Sequence, residues 1–274
     1  MDNSRLGIFG SRGCINQCVF CNEGRFWGFY RARSGENIFG EVVSHSQKYK
    51  ISHFTFHDSL MNGNLKQMEA FCELIIERGL DISWDGQGLI RGDVTPPLLK
   101  KFRKAGCHSI SYGMESGSDK VLRLMRKGFT RDIAERVIRD THQAGISVTL
   151  NFMFGFPGEG EKEFNDTLDF IKRNREYISE VAPSSGFTVI VKGTHLFGNC
   201  KDYGVEDNPH HLYWETTDKK NTYPERMRRY EIFCKTALKL GLAGKGVQST
   251  FPHKEERTRA YLATLRDFSS DSPK

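Results

Sequence analysis

The sequence predicts an α/β fold: an open, partial β/α barrel of six units with a C-terminal helical extension. Three observations predict it. Short apolar runs alternate with amphipathic helical stretches, each unit roughly 30–45 residues long, which is the pattern of a parallel sheet. Six such runs are present, too few for a closed eight-stranded barrel and enough for a curved open one; a flat doubly wound sheet is the other arrangement that fits the count. The ends of the runs are rich in Gly, Asp, Glu and Asn, which suits a binding face at the carboxyl ends of the strands.

In order, Leu6-Gly7-Ile8-Phe9 reads as a strand ending at Gly10, where it delivers the chain into a cysteine-rich loop. Arg25 to Ser34 interleaves arginines with aromatics and reads as a lid beside that loop. Ser34 is placed to cap a helix running to about Tyr49, with Glu36 in its first turn. The next unit is a strand at Ser52–Phe56 and a helix from Leu65 to Arg78 closed by Gly79. A strand from Asp81 to Trp84 leads to Gly86-Gln87-Gly88, and Pro96-Pro97 open a helix to Ala105. Cys107–Tyr112 is a strand followed by helices at Asp119–Met125 and Thr130–Ala144. Ile146–Phe154 is a strand that turns through Gly155-Phe156-Pro157-Gly158 into a helix from Glu161 to Tyr177. Phe187–Val191 is the sixth strand. His195 to Asn221 reads as irregular, Pro224 to Leu240 as a helix, and the tail from Ser269 as frayed. The expected organisation is a barrel core over residues 1–195, with residues 196–274 packed on it as an extension of the same domain.

The chain has 274 residues, 38% of them hydrophobic, which suffices for a core of this size. No run approaches the ~18 apolar residues of a membrane span. Met1-Asp2-Asn3-Ser4-Arg5 has no apolar signal core, so a cytoplasmic location is expected. The net charge of +6 is carried by scattered residues. No Arg/Lys block marks a nucleic-acid arm, and a basic surface leaves room for an acidic partner.

The chemistry concentrates in Gly13-Cys14-Ile15-Asn16-Gln17-Cys18-Val19-Phe20-Cys21, with three and then two residues between the cysteines. Thiolates are soft ligands suited to iron–sulfur clusters and zinc. Three sulfurs with no local fourth ligand would leave one iron of a cubane cluster open, whereas a structural zinc site normally has four ligands. A three-cysteine zinc loop and three unrelated thiols are the alternatives. Cys72, Cys107, Cys200 and Cys234 are far apart in sequence and read as buried or incidental thiols.

Other polar residues stand where strands end. Glu115 and Ser116 follow one strand, where a carboxylate could accept from ligand hydroxyl or ammonium groups, or serve as an N-cap box for the next helix. Lys127 and Arg126 lie at a helix end and could meet a carboxylate or simply face solvent. Asn151 is a polar amide inside an apolar strand and needs a partner. Gly155 and Gly158 form a turn that allows close backbone approach. His57, Asp58 and Arg91 are candidates to face the same mouth from other strands.

The cysteine loop resembles the signature loop of the radical S-adenosylmethionine (radical SAM) enzymes. The resemblance continues through Ser11-Arg12-Gly13-Cys14, Trp27-Gly28 with Arg31 and Arg33, and Phe56-His57-Asp58. It extends through Gly113-Met114-Glu115-Ser116-Gly117-Ser118, Met125-Arg126-Lys127-Gly128, Asn151 to Glu159, and Gly193-Thr194, covering roughly residues 6–240. Within the superfamily the chain looks most like the catalytic core of the cobalamin-associated proteins. The resemblance implies a partial, six-unit TIM-type barrel. It implies a 4Fe–4S cluster on Cys14, Cys18 and Cys21, whose open iron chelates the amino and carboxylate groups of S-adenosylmethionine (SAM).

It further implies SAM contacts from Phe20, Asp58, Glu115, Ser116, Lys127, Asn151, Gly155 and Phe156, with Phe20 seating the adenine. Many relatives have an arginine where this chain has Lys127, so Arg126 is the alternative partner of the SAM carboxylate. His57, Arg91 and Arg126 are the catalytic or substrate candidates.

The implied activity is reductive cleavage of SAM to a 5′-deoxyadenosyl radical that acts on a substrate the sequence leaves open. Methyl transfer, rearrangement, and methylthiolation of RNA or protein all use the same core. A small acidic flavodoxin- or ferredoxin-like electron donor is the implied partner. An iron–sulfur electron carrier and a metal-stabilised RNA-binding module are the non-enzymatic alternatives. Leu6 stands almost at the amino terminus, and a domain needs roughly 50 residues or more. Cobalamin binding is therefore expected only of a longer parent protein.

Overall fold

The computed structural model describes residues 5–182 and 187–243. The expectation for the tail from Ser269 lies outside the described residues. In chain order the elements are β1 (Arg5–Ile8), β2 (Ser11–Arg12), α1 (Glu23–Trp27), β3 (Arg31–Ala32), α2 (Gly35–Tyr49), β4 (His53–Phe56) and α3 (Leu65–Arg78). They continue with β5 (Ser83–Gly88), α4 (Pro96–Lys104), β6 (Cys107–Glu115), α5 (Asp119–Met125), α6 (Arg131–Gln143), β7 (Ser147–Phe152) and α7 (Glu161–Arg173). The last are β8 (Glu180–Ala182), α8 (His195–Gly198), a 3-10 turn (Cys200–Tyr203) and α9 (Tyr223–Leu240).

Six strands form one parallel sheet in the order β1-β4-β5-β6-β7-β8. Chain order and spatial order coincide. A doubly wound sheet would reverse direction partway across, so the unbroken order selects the partial barrel. The strands alternate as a barrel wall requires. In β4, His53 and Thr55 are half-buried while Phe54 and Phe56 are fully buried. The buried aromatics meet the helix layer, where Phe56, Phe71, Trp84 and Phe102 form a chain of edge-to-face rings. Sequence punctuation accounts for the helix ends: Ser34 Oγ accepts from Asn37 N at 3.2 Å, and Gly79 closes α3 with φ 59°.

The sixth strand is not the expected one. Phe187 makes a single parallel bridge to Phe154, and the sheet is completed by Glu180–Ala182, with Val181 opposite Leu150. α7 ends at Arg173, short of the expected Tyr177, so the chain returns to the sheet earlier. The apolar run at 187–191 is buried by packing: Phe187 sits against Tyr223 and Tyr230, and Ile190 joins a separate apolar cluster. Apolarity there reported burial, and burial does not require a strand. β5 and β6 run further than expected, to Gly88 and Glu115, and carry their polar ends toward the mouth.

α9 shares the main core, with Phe233 against Phe152 and Phe154. The segment expected to be irregular contains α8 and the 3-10 turn. Among the described residues no helix is long and apolar enough to cross a membrane.

Candidate functional site

The cysteine loop follows β1 and β2, lies within the connection between the paired strands β2 and β3, and is pinned from below by Val19. That side chain is fully buried in a second apolar cluster with Val121, Met125, Met153, Phe156 and Leu196. Its amide donates to Met125 O at 3.1 Å, and its carbonyl accepts from Leu196 N at 2.8 Å. Asn16 holds the other side, with Nδ2 donating to Lys127 O at 2.9 Å and the backbone N donating to Cys14 Sγ at 3.3 Å. A short hydrophobic residue and a polar one between the cysteines thus fix the loop on the turn after α5.

Cys14, Cys18 and Cys21 are free, half-buried and line one cavity of about 320 Å³. Burial is the main reason their thiols sit above the usual range, Cys14 at about 11. Neighbouring thiols push Cys14 and Cys18 the same way, Glu23 and Glu115 push Cys21, and the Lys127 ammonium opposes in all three. Three crowded sulfurs therefore favour a positively charged guest, which neutralises their thiolates. The other described cysteines are buried elsewhere, and this cavity wall brings no histidine. The donor set fits a cluster held by three sulfurs with one iron left to another ligand.

The facing wall comes from the strand ends. Gln87, Gly88, Gly113, Glu115, Lys127 and Asn151 line the same cavity as the thiols. Glu115 sits at a β-bulge between β6 and β7 and has φ +65°, a left-handed conformation uncommon for a carboxylate residue. Lys127 Nζ approaches Glu115 Oε1 at 3.4 Å, and both side chains are almost out of solvent. A Cβ added at Gly113 would come within 2.7 Å of that same oxygen, so the glycine makes room for the pair. Asn151 finds its partner across the sheet, with Nδ2 donating to Ser111 Oγ at 3.0 Å while the residue lines the cavity. A carboxylate, an ammonium and an amide on one wall suit a zwitterionic amino acid group beside the thiols.

The structure brings together seven of the expected residues: Cys14, Cys18, Cys21, Phe20, Glu115, Lys127 and Asn151. The others lie elsewhere. Ser116 is fully buried, its Oγ 3.3 Å from Thr167 Oγ1 and accepting from Ser118 N, which makes it a helix-packing residue. Gly155 donates to Glu159 Oε1 and its carbonyl accepts from Asn221 Nδ2, behind the wall. Phe156 supports Phe20 edge-to-face with ring centroids 6.4 Å apart. Arg91 ties down a loop, donating to the carbonyls of Asn62 and Gly63 and to both oxygens of Asp93. Arg126 is exposed, turned out by its left-handed C-cap conformation.

His57 and Asp58 line a second cavity in the barrel lumen. Asp58 accepts from Gly10 N and Ser11 Oγ, and burial raises its carboxyl above the usual carboxylate range against those hydrogen bonds. The expected lid also differs. α1 buries no residue, and Phe26 and Phe29 are 70% and 73% exposed. From the segment 22–34, Glu23 reaches the cysteine cavity, held by Ser59.

Sequence reasoning missed Asn16, Gln87 and Gly113 as wall residues. Gly86-Gln87-Gly88 at a strand end was the available sign, since glycines there mark close backbone approach.

A sequence model of the radical SAM superfamily matches residues 8–171. The chain is 27% identical over 222 residues to the bacteriochlorophyllide d C-12(1)-methyltransferase of Chlorobaculum tepidum, covering 80% of this chain and 46% of that protein. It is 29% identical over 167 residues to the uncharacterized methyltransferase PH0819 of Pyrococcus horikoshii, covering 61% of this chain and 36% of that one. Among solved structures, the cobalamin-dependent SAM radical enzyme OxsB superposes with a TM-score of 0.65 at 18% identity, over 96% of this chain and 46% of that one. The radical SAM methyltransferase TsrM from Kitasatospora setae gives 0.62 at 17% identity, over 82% and 46%. At such identities the structural likeness is one of fold. The chain spans less than half the length of each of these relatives.

Proposed function

From the premise that the chain belongs to the radical SAM superfamily, we propose that it is the catalytic core of an enzyme that cleaves SAM reductively and applies the resulting radical to a substrate held in the barrel. One observation carries the reading: three half-buried thiols and the Glu115–Lys127 pair share one cavity at the carboxyl ends of the strands. When bound, the cluster and SAM supply a 5′-deoxyadenosyl radical. The protein's part is binding, orientation and exclusion of water. Cys14, Cys18 and Cys21 hold the cluster. Glu115 accepts from the SAM ammonium, and Lys127 pairs with its carboxylate as a point charge. Phe20, backed by Phe156, seats the adenine, and Asn151 offers its amide to the ribose.

The electron comes from a small acidic carrier. Exposed Arg12, Arg25 and Arg31 beside Phe26 and Phe29 make a basic, aromatic rim next to the cysteine loop that suits such a donor. A reducing cytoplasm keeps thiols free, and all seven cysteines are free.

The test is anaerobic: reconstitute with iron and sulfide, add dithionite and SAM, and quantify 5′-deoxyadenosine and methionine. Equimolar products are expected; intact SAM with a full iron content would refute the reading.

Methyl transfer is the second reading, favoured by the methyltransferase names of the relatives. Titration of this chain with hydroxocobalamin is expected to show no tight binding, and stoichiometric uptake at micromolar concentration would make methyl transfer the leading reaction.

A further inference from the structure

The opposite end of the barrel carries a second set of ligand-type side chains that the proposed reaction does not use. His53 is the first residue of β4, Asp85 the third of β5 and His108 the second of β6, three adjacent strands. One ligand atom from each lies within 4.8 Å of the others. His53 Nε2 is 3.0 Å and His108 Nε2 is 3.6 Å from Asp85 Oδ2. Ligand atoms bound to tetrahedral zinc at about 2.0–2.1 Å stand about 3.3 Å apart, so the two separations from Asp85 need little adjustment, and the two imidazoles close from within 4.8 Å of each other.

A β-bulge creates the third position. Trp84 pairs with Cys107 and Asp85 with Ser109, which leaves His108 as the extra residue of β6. Strict alternation would send His108 and Ser109 to opposite faces, yet both line the lumen. Bulges are rare between parallel strands and commonly re-aim a side chain.

A hydrogen-bonded cluster alone explains part of this. His53 bonds to Asp85, and Thr55 Oγ1 donates to the same oxygen at 3.4 Å. It does not explain His108. That ring stands beyond hydrogen-bond distance of Asp85, and its buried Nδ1 turns to the Trp84 main chain, which leaves Nε2 toward Asp85 for a ligand. His53 meanwhile has the outer support typical of a ligating histidine, Nδ1 lying 2.8 Å from Ser83 Oγ. Arg5 Nη1 approaches Asp85 at 4.0 Å and would compete for it, but its side chain is mostly exposed and can swing aside.

We propose that His53, Asp85 and His108 bind a divalent transition metal, zinc or an ion of similar ligand preference, with an open position toward the lumen. Two imidazoles and one carboxylate are a ligand set that leaves room for a fourth group. The lumen cavity of about 430 Å³ begins at Asp85 and His108 and reaches Gln87, which also lines the cysteine cavity. An oxygen or nitrogen of a lumen-bound molecule could therefore take the open position and be held in line with the cysteine end.

The test titrates the full chain with zinc by calorimetry in two forms: cluster-loaded, and carrying Cys14→Ala, Cys18→Ala and Cys21→Ala. Both are expected to take up one equivalent, so the result does not depend on the radical chemistry. His108→Ala and Asp85→Asn should each weaken uptake about tenfold or more. Cobalt in the triple variant should give visible bands without sulfur charge transfer, the four remaining cysteines being buried. In the unsubstituted, cluster-loaded chain, zinc should protect His53 and His108 from diethyl pyrocarbonate, a readout that needs no variant. No uptake in the triple variant, equal affinity in folded His108→Ala and Asp85→Asn, or no protection of the two histidines would overturn the proposal.

Discussion

Lys127 Nζ lies 3.4 Å from Glu115 Oε1, and their side chains are 6% and 13% exposed. The separation exceeds the roughly 2.7–2.9 Å of a closed charge-assisted hydrogen bond, so the pair is loosely made. In the role proposed for the pair, an entering zwitterion exchanges partners with it, its carboxylate going to Lys127 and its ammonium to Glu115. Lys127→Ala is expected to weaken SAM binding by ~1–3 kcal/mol, the scale of one contact to a charged group. Lys127→Arg should recover part of the loss. Equilibrium dialysis with the cluster-loaded protein measures it, and unchanged affinity in folded Lys127→Ala would remove this role.

Gly113 offers a test of the same wall from beneath. A methyl group there would meet Glu115 Oε1 at 2.7 Å and Lys127 Nζ at 3.3 Å. Gly113→Ala should therefore displace the pair and lower SAM affinity roughly as Lys127→Ala does, since it disturbs the same charged contact. The cluster's absorbance should survive, because the cysteines are untouched. Loss of iron together with SAM binding would point to general disruption instead.

The crowded thiols make a pH prediction for the metal-free protein. Burial, with the neighbouring sulfurs, pushes Cys14 up to about 11. A raised thiol value leaves the reactive thiolate scarce below that pH, so iodoacetamide should modify Cys14 about 100-fold more slowly at pH 8 than an exposed cysteine. The rate should climb with pH until about 11. Removing the opposing ammonium in Lys127→Ala should slow it further. Rapid, pH-independent labelling at neutral pH, read by mass spectrometry, would contradict this environment.

A buried ion pair behind the site should dominate a stability measurement. Glu159 Oε1 accepts from Arg229 Nη1 at 3.0 Å and from Gly155 N at 2.9 Å, with both side chains essentially out of water. Arg229→Met leaves a buried carboxylate without its cation and should cost about 3–5 kcal/mol. Glu159→Gln keeps an acceptor for Gly155, and Arg229 retains Glu225, so its effect should be less than half as large. Urea midpoints compare the two, and equal losses would mean the charge itself matters little.

The sequence by itself determined the ligand chemistry and the architecture. Cysteine spacing is local, so Cys14, Cys18 and Cys21 could be read as one site directly. The alternation of strands and helices is periodic, so the partial barrel could be read too. Tertiary structure decided the rest, because the rest depends on which way a side chain points and what lies opposite it across the sheet. Lys127 and Arg126 are adjacent and both basic, yet the left-handed cap at Arg126 turns one outward and leaves the other inside. Ser116 stands next to Glu115, but the bulge sends the carboxylate to the cavity and the hydroxyl to Thr167. The run at Phe187 is as apolar as a strand, yet it makes one bridge to Phe154 and is otherwise buried by packing, Phe187 against α9. His53, Asp85 and His108 are separated by 32 and 23 positions and meet only because parallel pairing and one extra residue in β6 set them side by side. Register between strands follows from which faces the whole sheet buries, and a bulge such as the one at His108 shifts it where no single stretch of the chain shows the partner strand.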